Sequence, residues 1–167
     1  GYEYPDKEYM GKFAHVPEFS SCTDCHDPHT LEVAVEPCAE CHKTSDPRAI
    51  RTSTADFDGN GDAAEGIAAE IDRFRDVLGE AIRVYSVDVV GTPVVYADAY
   101  PYFFKDEKEG AASGGPREQR RQRYENWTPR MLKAAYNYQF VSKDPGAYAH
   151  NPHYALQILY DSIESLS

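Results

Sequence analysis

Apolar side chains recur at spacings of mostly three and four through Ile67, Ile71, Phe74, Leu78, Ala81, Ile82 and Tyr85. Such a stripe marks an amphipathic helix with one buried face, here predicted over about residues 63–85. Two later helices announce their own starts. Thr128 offers an N-cap hydroxyl and Pro129 the preset φ of a first helical position, so a helix is predicted through about Val141 with Met131, Leu132, Ala135 and Tyr138 on one face. Asn151-Pro152 repeats the signal ahead of a stripe of Leu156, Leu159, Tyr160, Ile163 and Leu166. Strand signals are short, residues 87–90 and 94–96 only. Between them, Pro93, Tyr96, Tyr100, Pro101, Tyr102, Phe103 and Phe104, followed by the glycine-rich residues 110–115, read as irregular structure and a flexible loop. The chain changes character at Ala55. The expected fold is mainly α with extensive irregular loops and little β: an N-terminal segment, residues 1–55, packed on a small helical lobe, residues 56–167, as one compact domain.

The N-terminal segment carries the chemistry. Cys22-Thr23-Asp24-Cys25-His26 and Cys38-Ala39-Glu40-Cys41-His42 are two C-x-x-C-H pentapeptides that together use all 4 cysteines. That spacing lets two thiols form thioethers to one haem while the adjoining imidazole ligates the iron from below. A four-cysteine zinc ribbon is the competing reading, since 12 residues separate Cys25 from Cys38. Zinc, however, does not require a histidine after each pair. With 6 His in 167 residues, chance would fill both positions on the order of once in a thousand. Two covalently bound haem c groups are therefore expected, with His26 and His42 as proximal ligands. The linker between His26 and Cys38 reaches at most about 40 Å, and far less when folded, so the haems can lie close together.

His15, His29, His150 and His153 remain for the distal positions, a surplus that suits closed bis-histidine irons and electron transfer rather than oxygen or peroxide chemistry. His15 sits in an extended Phe13-Ala14-His15-Val16-Pro17 segment able to fold back over a haem. His29 is too near His26 to reach the opposite face of the same iron. His150 stands at a helix entrance, while His153, inside the first turn, is the ordinary surface imidazole. The distal candidates are thus His15, His29 and His150, with Met10 and Met131 as further thioether candidates.

Asp56, Asp58 and Asn60, with Gly61 next, match the first half of an EF-hand loop, in which hard oxygen ligands wrap calcium. Position 12 is Ile67 instead of glutamate, so Glu65 or Glu70 would have to complete the shell. The calcium candidates are Asp56, Asp58, Asn60, Asp62 and Glu65, against a plain Asp-Gly turn capping the next helix.

A formal net charge of −11 disfavours nucleic acid and anionic lipid as partners and favours basic proteins or cations. The run Arg117, Arg120, Arg121 and Arg123 stands out against this background and reads first as a solvated face, second as a propionate or subunit contact. No apolar run is long enough to span a bilayer, and because haem c is attached outside the cytoplasm, an exported, periplasmic or extracellular chain is expected. Gly1 without a leader fits a removed signal peptide.

Several stretches carry a family likeness: Cys25-His26-Asp27-Pro28-His29, Glu65-Gly66-Ile67 after the Asp-Gly loop, Tyr100-Pro101-Tyr102-Phe103-Phe104, Trp127-Thr128-Pro129-Arg130, and Ala134-Ala135-Tyr136-Asn137-Tyr138-Gln139 followed by Lys143-Asp144-Pro145-Gly146-Ala147 and His150-Asn151. Together they resemble the C-terminal part of exported multihaem c-type cytochromes. The resemblance implies a respiratory or extracellular electron carrier rather than an enzyme; with only two motifs, long-range transport would need many copies in contact. Partners would be other redox proteins or copies of the chain itself, with an axial histidine donated between subunits of a polymer. The alternative is a dihaem oxidoreductase with one open haem.

Overall fold

The computed structural model describes residues 1–106 and 122–167. The glycine-rich residues 110–115 and Arg117, Arg120 and Arg121 lie outside the described residues.

Three helices bury the predicted stripes against one another: α2 (Ile67–Tyr85), α3 (Pro129–Ser142) and α5 (Pro152–Leu166). A single turn, α1 (Cys38–His42), precedes them, and a second, α4 (Ala147–His150), joins α3 to α5. Leu78, Met131, Ile158 and Leu159 are wholly buried where the three long helices meet. Met131 is thus a core residue, and Met10 is exposed.

The helix starts follow their caps. Thr128 accepts the Met131 N–H at 3.2 Å and Asn151 accepts the Tyr154 N–H at 3.1 Å, each ahead of a proline that needs no amide partner. α2 begins at Ile67, later than the predicted 63, because Gly66 is extended, with φ −63° and ψ 144°. A Cβ on Gly66 would collide with the Arg48 carbonyl. On α3 the buried face runs through Met131, Ala134, Ala135, Asn137 and Val141. Leu132, expected on it, is 51% exposed.

The predicted strand over residues 87–90 is instead a π-helical turn, Ser86–Val90, that continues α2. β-branched residues read as strand, but here the helical carbonyls run on until Gly91 reverses the chain at φ 73°. Buried Ser86 fixes the exit, donating to the Arg83 carbonyl at 2.6 Å and accepting the Val94 N–H at 3.0 Å. β1 (Val94–Tyr96) pairs antiparallel with β2 (Phe103–Lys105), Val95 opposite Phe104. β2 falls where irregular structure was expected. Its aromatics pack on the core: Phe103 lies edge-on to Trp127 at 5.3 Å between ring centres, and Tyr96 to Tyr138 at 4.9 Å. The architecture is mainly helical, with this one small sheet and much irregular backbone among the described residues.

An N-terminal arm straps this lobe and delivers the chain to His15. Tyr2 exchanges hydrogen bonds with the buried Asn137 side chain at 2.5 and 2.9 Å. Tyr9 donates to Asp161 at 2.7 Å, and Asn151 donates to the Gly11 carbonyl at 2.6 Å.

Candidate functional site

Each C-x-x-C-H sequence folds as one helical turn. In the first, Cys22–Asp24 is a 3-10 turn entered through a capping box between Ser21 and Asp24. N–H groups of Ser21 and Ser20 hold the Asp24 carboxyl below its usual range. The His26 N–H then donates to the Cys22 carbonyl at 2.8 Å. A bridge from His26 to Val33 closes a tight loop, braced by Asp27, which accepts N–H groups of Thr30 and His29 at 2.8 and 2.9 Å. The second pentapeptide is α1, ended by Lys43 at φ 62°. The turns are neighbours: burial raises the Cys25 thiol pKa first, and the nearby Cys38 sulfur adds to it.

The imidazoles fall into two pairs. His15 faces His42 with ring centres 6.0 Å apart and 34° between planes; His26 faces His150 at 6.4 Å and 47°. Metal–nitrogen bonds of about 2 Å on either side, plus about 1 Å from each nitrogen to its ring centre, require roughly 6 Å between two imidazoles on one metal. The donor set therefore fits two haem irons, each with a proximal histidine from its own pentapeptide and a second imidazole from elsewhere in the chain. His29 is exposed and in neither pair; its N–H donates to Asp27 at 2.9 Å. His153 lies between Phe13 and Phe57, with ring centres at 6.2 and 6.4 Å.

The tautomers of one pair are fixed by the protein. His26 Nδ1–H donates to the Leu31 carbonyl at 3.1 Å, and His150 Nδ1–H to the Asp144 carboxylate at 2.8 and 3.0 Å. A carbonyl and a carboxylate serve here as acceptors, which leaves Nε2 as the nitrogen of each ring for a metal. Gly146 makes room: a Cβ there would stand 2.7 Å from His150 Cε1. The pattern reading found His150 but not the Asp-Pro-Gly turn that aims it, and the signal was an aspartate six residues upstream across a proline-glycine pair.

The calcium candidates separate. Asp56 and Asp58 converge with Glu70, one oxygen of each lying within 4.8 Å of the others. Asn60, Asp62 and Glu65 are tied into the loop by hydrogen bonds: Asn60 accepts the Asp62 N–H at 2.6 Å and donates to Glu65 at 2.5 Å and to Asp58 at 3.2 Å, and Asp62 accepts the Ala64 N–H at 2.9 Å. Two guanidinium groups already face the cluster. Arg51 pairs with the fully buried Glu70 at 2.7 Å and Arg73 with Asp58 at 2.5 Å. Arg51 also donates to the Ser53, Ala55 and Glu65 carbonyls, holding the loop shut. Of the basic run, Arg123 is described, and it pairs with Glu125 at 2.7 Å.

Beside the two C-x-x-C-H turns and the two facing imidazole pairs stands a sequence resemblance to polyhaem c-type cytochromes. The chain is 25% identical to the C-type polyheme cytochrome OmcC of Geobacter sulfurreducens and 24% identical to OmcB from two strains of that organism, over 77% of this chain and 20% of each relative. It thus spans about a fifth of the length of these relatives. No protein-family model and no solved structure matches. No helix among the described residues is long and apolar enough to cross a membrane.

Proposed function

We propose that this chain binds two haems covalently and passes electrons between them and to partner proteins. Cys22, Cys25 and His26 hold one haem with His150 as its distal ligand; Cys38, Cys41 and His42 hold the other with His15. The pair of ring separations, 6.0 and 6.4 Å, carries the reading. Bound at these positions, the haems supply one-electron chemistry, while the chain supplies two fixed imidazoles per iron and excludes substrate from both axial positions. That closure disfavours the oxidoreductase alternative. The adjoining attachment turns favour short inter-haem distances, and the neighbouring polyhaem cytochromes support the same chemistry.

Export follows from where haem c is attached. With a charge of −11, docking to basic redox partners should weaken as salt rises. With His15 and His150 both engaged within one chain, a conductive assembly of copies would rely on haem edges in contact rather than on a histidine exchanged between subunits. Light scattering at high concentration checks for such copies.

Electron paramagnetic resonance with near-infrared magnetic circular dichroism on the oxidised holoprotein tests the reading. Two low-spin bis-histidine signals and a mass increment of two haems are expected. A high-spin component would sink it and bring the dihaem oxidoreductase forward.

Calcium held by Asp56, Asp58 and Glu70 is a separate element of the proposal, favoured by the burial of Glu70. Calcium at 100 times its Kd would add about 2.7 kcal/mol to stability. A Tm that is the same in calcium and in chelator would remove calcium and leave the Arg51 and Arg73 guanidinium groups facing these carboxylates.

A further inference from the structure

The two imidazole pairs are not equivalent, and the difference lies in what their second nitrogens touch. In the His26–His150 pair both Nδ1 atoms donate to protein acceptors, and the acceptor at His150 is a carboxylate reached by both of its oxygens. Among the described residues, neither His15 nor His42 has a ring nitrogen in a protein hydrogen bond; the two rings face each other, and His15 also meets the edge of Phe19. An anionic acceptor on the outer N–H of a metal-bound imidazole makes that ligand a stronger donor and favours the more highly charged metal. For haem iron that is the oxidised state.

Resting on the ligand assignment above, we infer that Asp144 is a positioning residue that makes the His26–His150 haem the lower-potential centre of the two. The reduced chain then holds its first electron on the His15–His42 haem. Asp144 does this from within the turn that presents the ligand. Its Oδ1 also accepts the Gly146 N–H at 3.1 Å, and Gly146 leaves space that any side chain would take from the His150 ring. The carboxylate, the turn and the imidazole are thus joined in one hydrogen-bonded unit, and His150 is 56% exposed while Asp144 is 31% exposed. Solvent will weaken the carboxylate's effect without cancelling it, because the hydrogen bond is direct.

Redox potentiometry on the dihaem holoprotein, with electron paramagnetic resonance on the same samples, tests this. The wild type is expected to titrate in two resolved steps. His15→Met labels one of them, since methionine–histidine ligation raises a haem potential, and the step it moves should be the upper one. Asp144→Asn, which keeps an oxygen acceptor but loses the charge, should raise the lower step alone and change one low-spin signal while both haems stay low-spin. Asp144→Glu should restore part of the shift. Steps that stay put in Asp144→Asn, or that move together, overturn the inference, as does His15→Met acting on the lower step. A wild type lacking two bis-histidine signals would instead overturn the ligand assignment. Should Asp144→Asn fail to fold, Gly146→Ala reads the same unit: crowding of His150 must broaden or shift only the lower-potential signal, and an effect on the other haem counts against the inference.

Discussion

Residues 1–67 and residues 68–167 are built on different principles. No residue of the first 67 is buried, whereas the described part of the remainder holds the whole core, from Ala68 to Leu159. The helical lobe excludes water with its own side chains. The N-terminal segment has no core; it is ordered by single turns, by the carboxylates of Asp24 and Asp27, by hydrogen bonds to the lobe, and by whatever its four cysteines and its histidines grip. The comparison teaches a division of labour: the lobe is folded by burial, and on the proposed function the N-terminal segment would be folded by haem attachment.

The sharpest way to break that comparison is to remove one attachment. Replacing Cys38 and Cys41 with serine should lose one haem from the intact mass. It should also open the backbone around residues 35–50 to proteolysis and hydrogen exchange, because nothing buried holds that turn. α2, α3 and α5 should keep their protection. If the lobe loosened equally, the two regions would share one folding unit and the division would fail.

The reverse experiment is Leu78→Ala. Leu78 is wholly buried between the long helices, and such truncations cost about 2–5 kcal/mol. Urea unfolding should shift accordingly, while the absorption of both haems in the folded state stays as in the wild type.

A smaller effect is expected where the regions are stitched. Asn151 caps α5 and donates to the Gly11 carbonyl at 2.6 Å, so one side chain steadies both the arm that leads to His15 and the entrance next to His150. Asn151→Ala should cost about 1 kcal/mol from the lost cap, and more of the arm's protection than of the lobe's. Hydrogen exchange resolved by residue separates the two.

The same contrast explains what the sequence made legible. Caps and stripes located α2, α3 and α5 to within a few residues, because helical burial is periodic and local. The two C-x-x-C-H pentapeptides stand out in the sequence because the attachment chemistry proposed for them demands contiguous residues. The pairing of His15 with His42 and of His26 with His150 was not, since each partner is brought in by tertiary structure and no spacing rule links them. The arm was missed for a similar reason: Tyr2, Tyr4 and Tyr9 make hydrogen bonds to Asn137, Ser162 and Asp161 and follow no apolar period. Valine-rich residues 87–90 misled because β propensity is weaker than a helix already under way. The sequence left Glu65 and Glu70 open as the residue completing the acidic loop, and the turn of α2 brings Glu70 to Asp56 and Asp58.

The least effect, and the most selective, is at alkaline pH. Tyr9 of the arm donates to Asp161 at 2.7 Å, and Tyr96 of the lobe faces Asp98 at 3.2 Å; burial first, then these carboxylates, push both phenols up to about 12. An unfolded tyrosine titrates near 10, so the folded state favours the neutral phenol. Each contribution is therefore complete below about pH 10 and disappears as the pH rises toward 12. Tyr9→Phe should delete one late step from the tyrosinate absorbance titration and flatten the alkaline decline in stability of the arm only. Tyr96→Phe should delete the other step and act on the lobe. If either variant moved both regions together, arm and lobe would be coupled through the Tyr9–Asp161 contact more tightly than their separate means of folding imply.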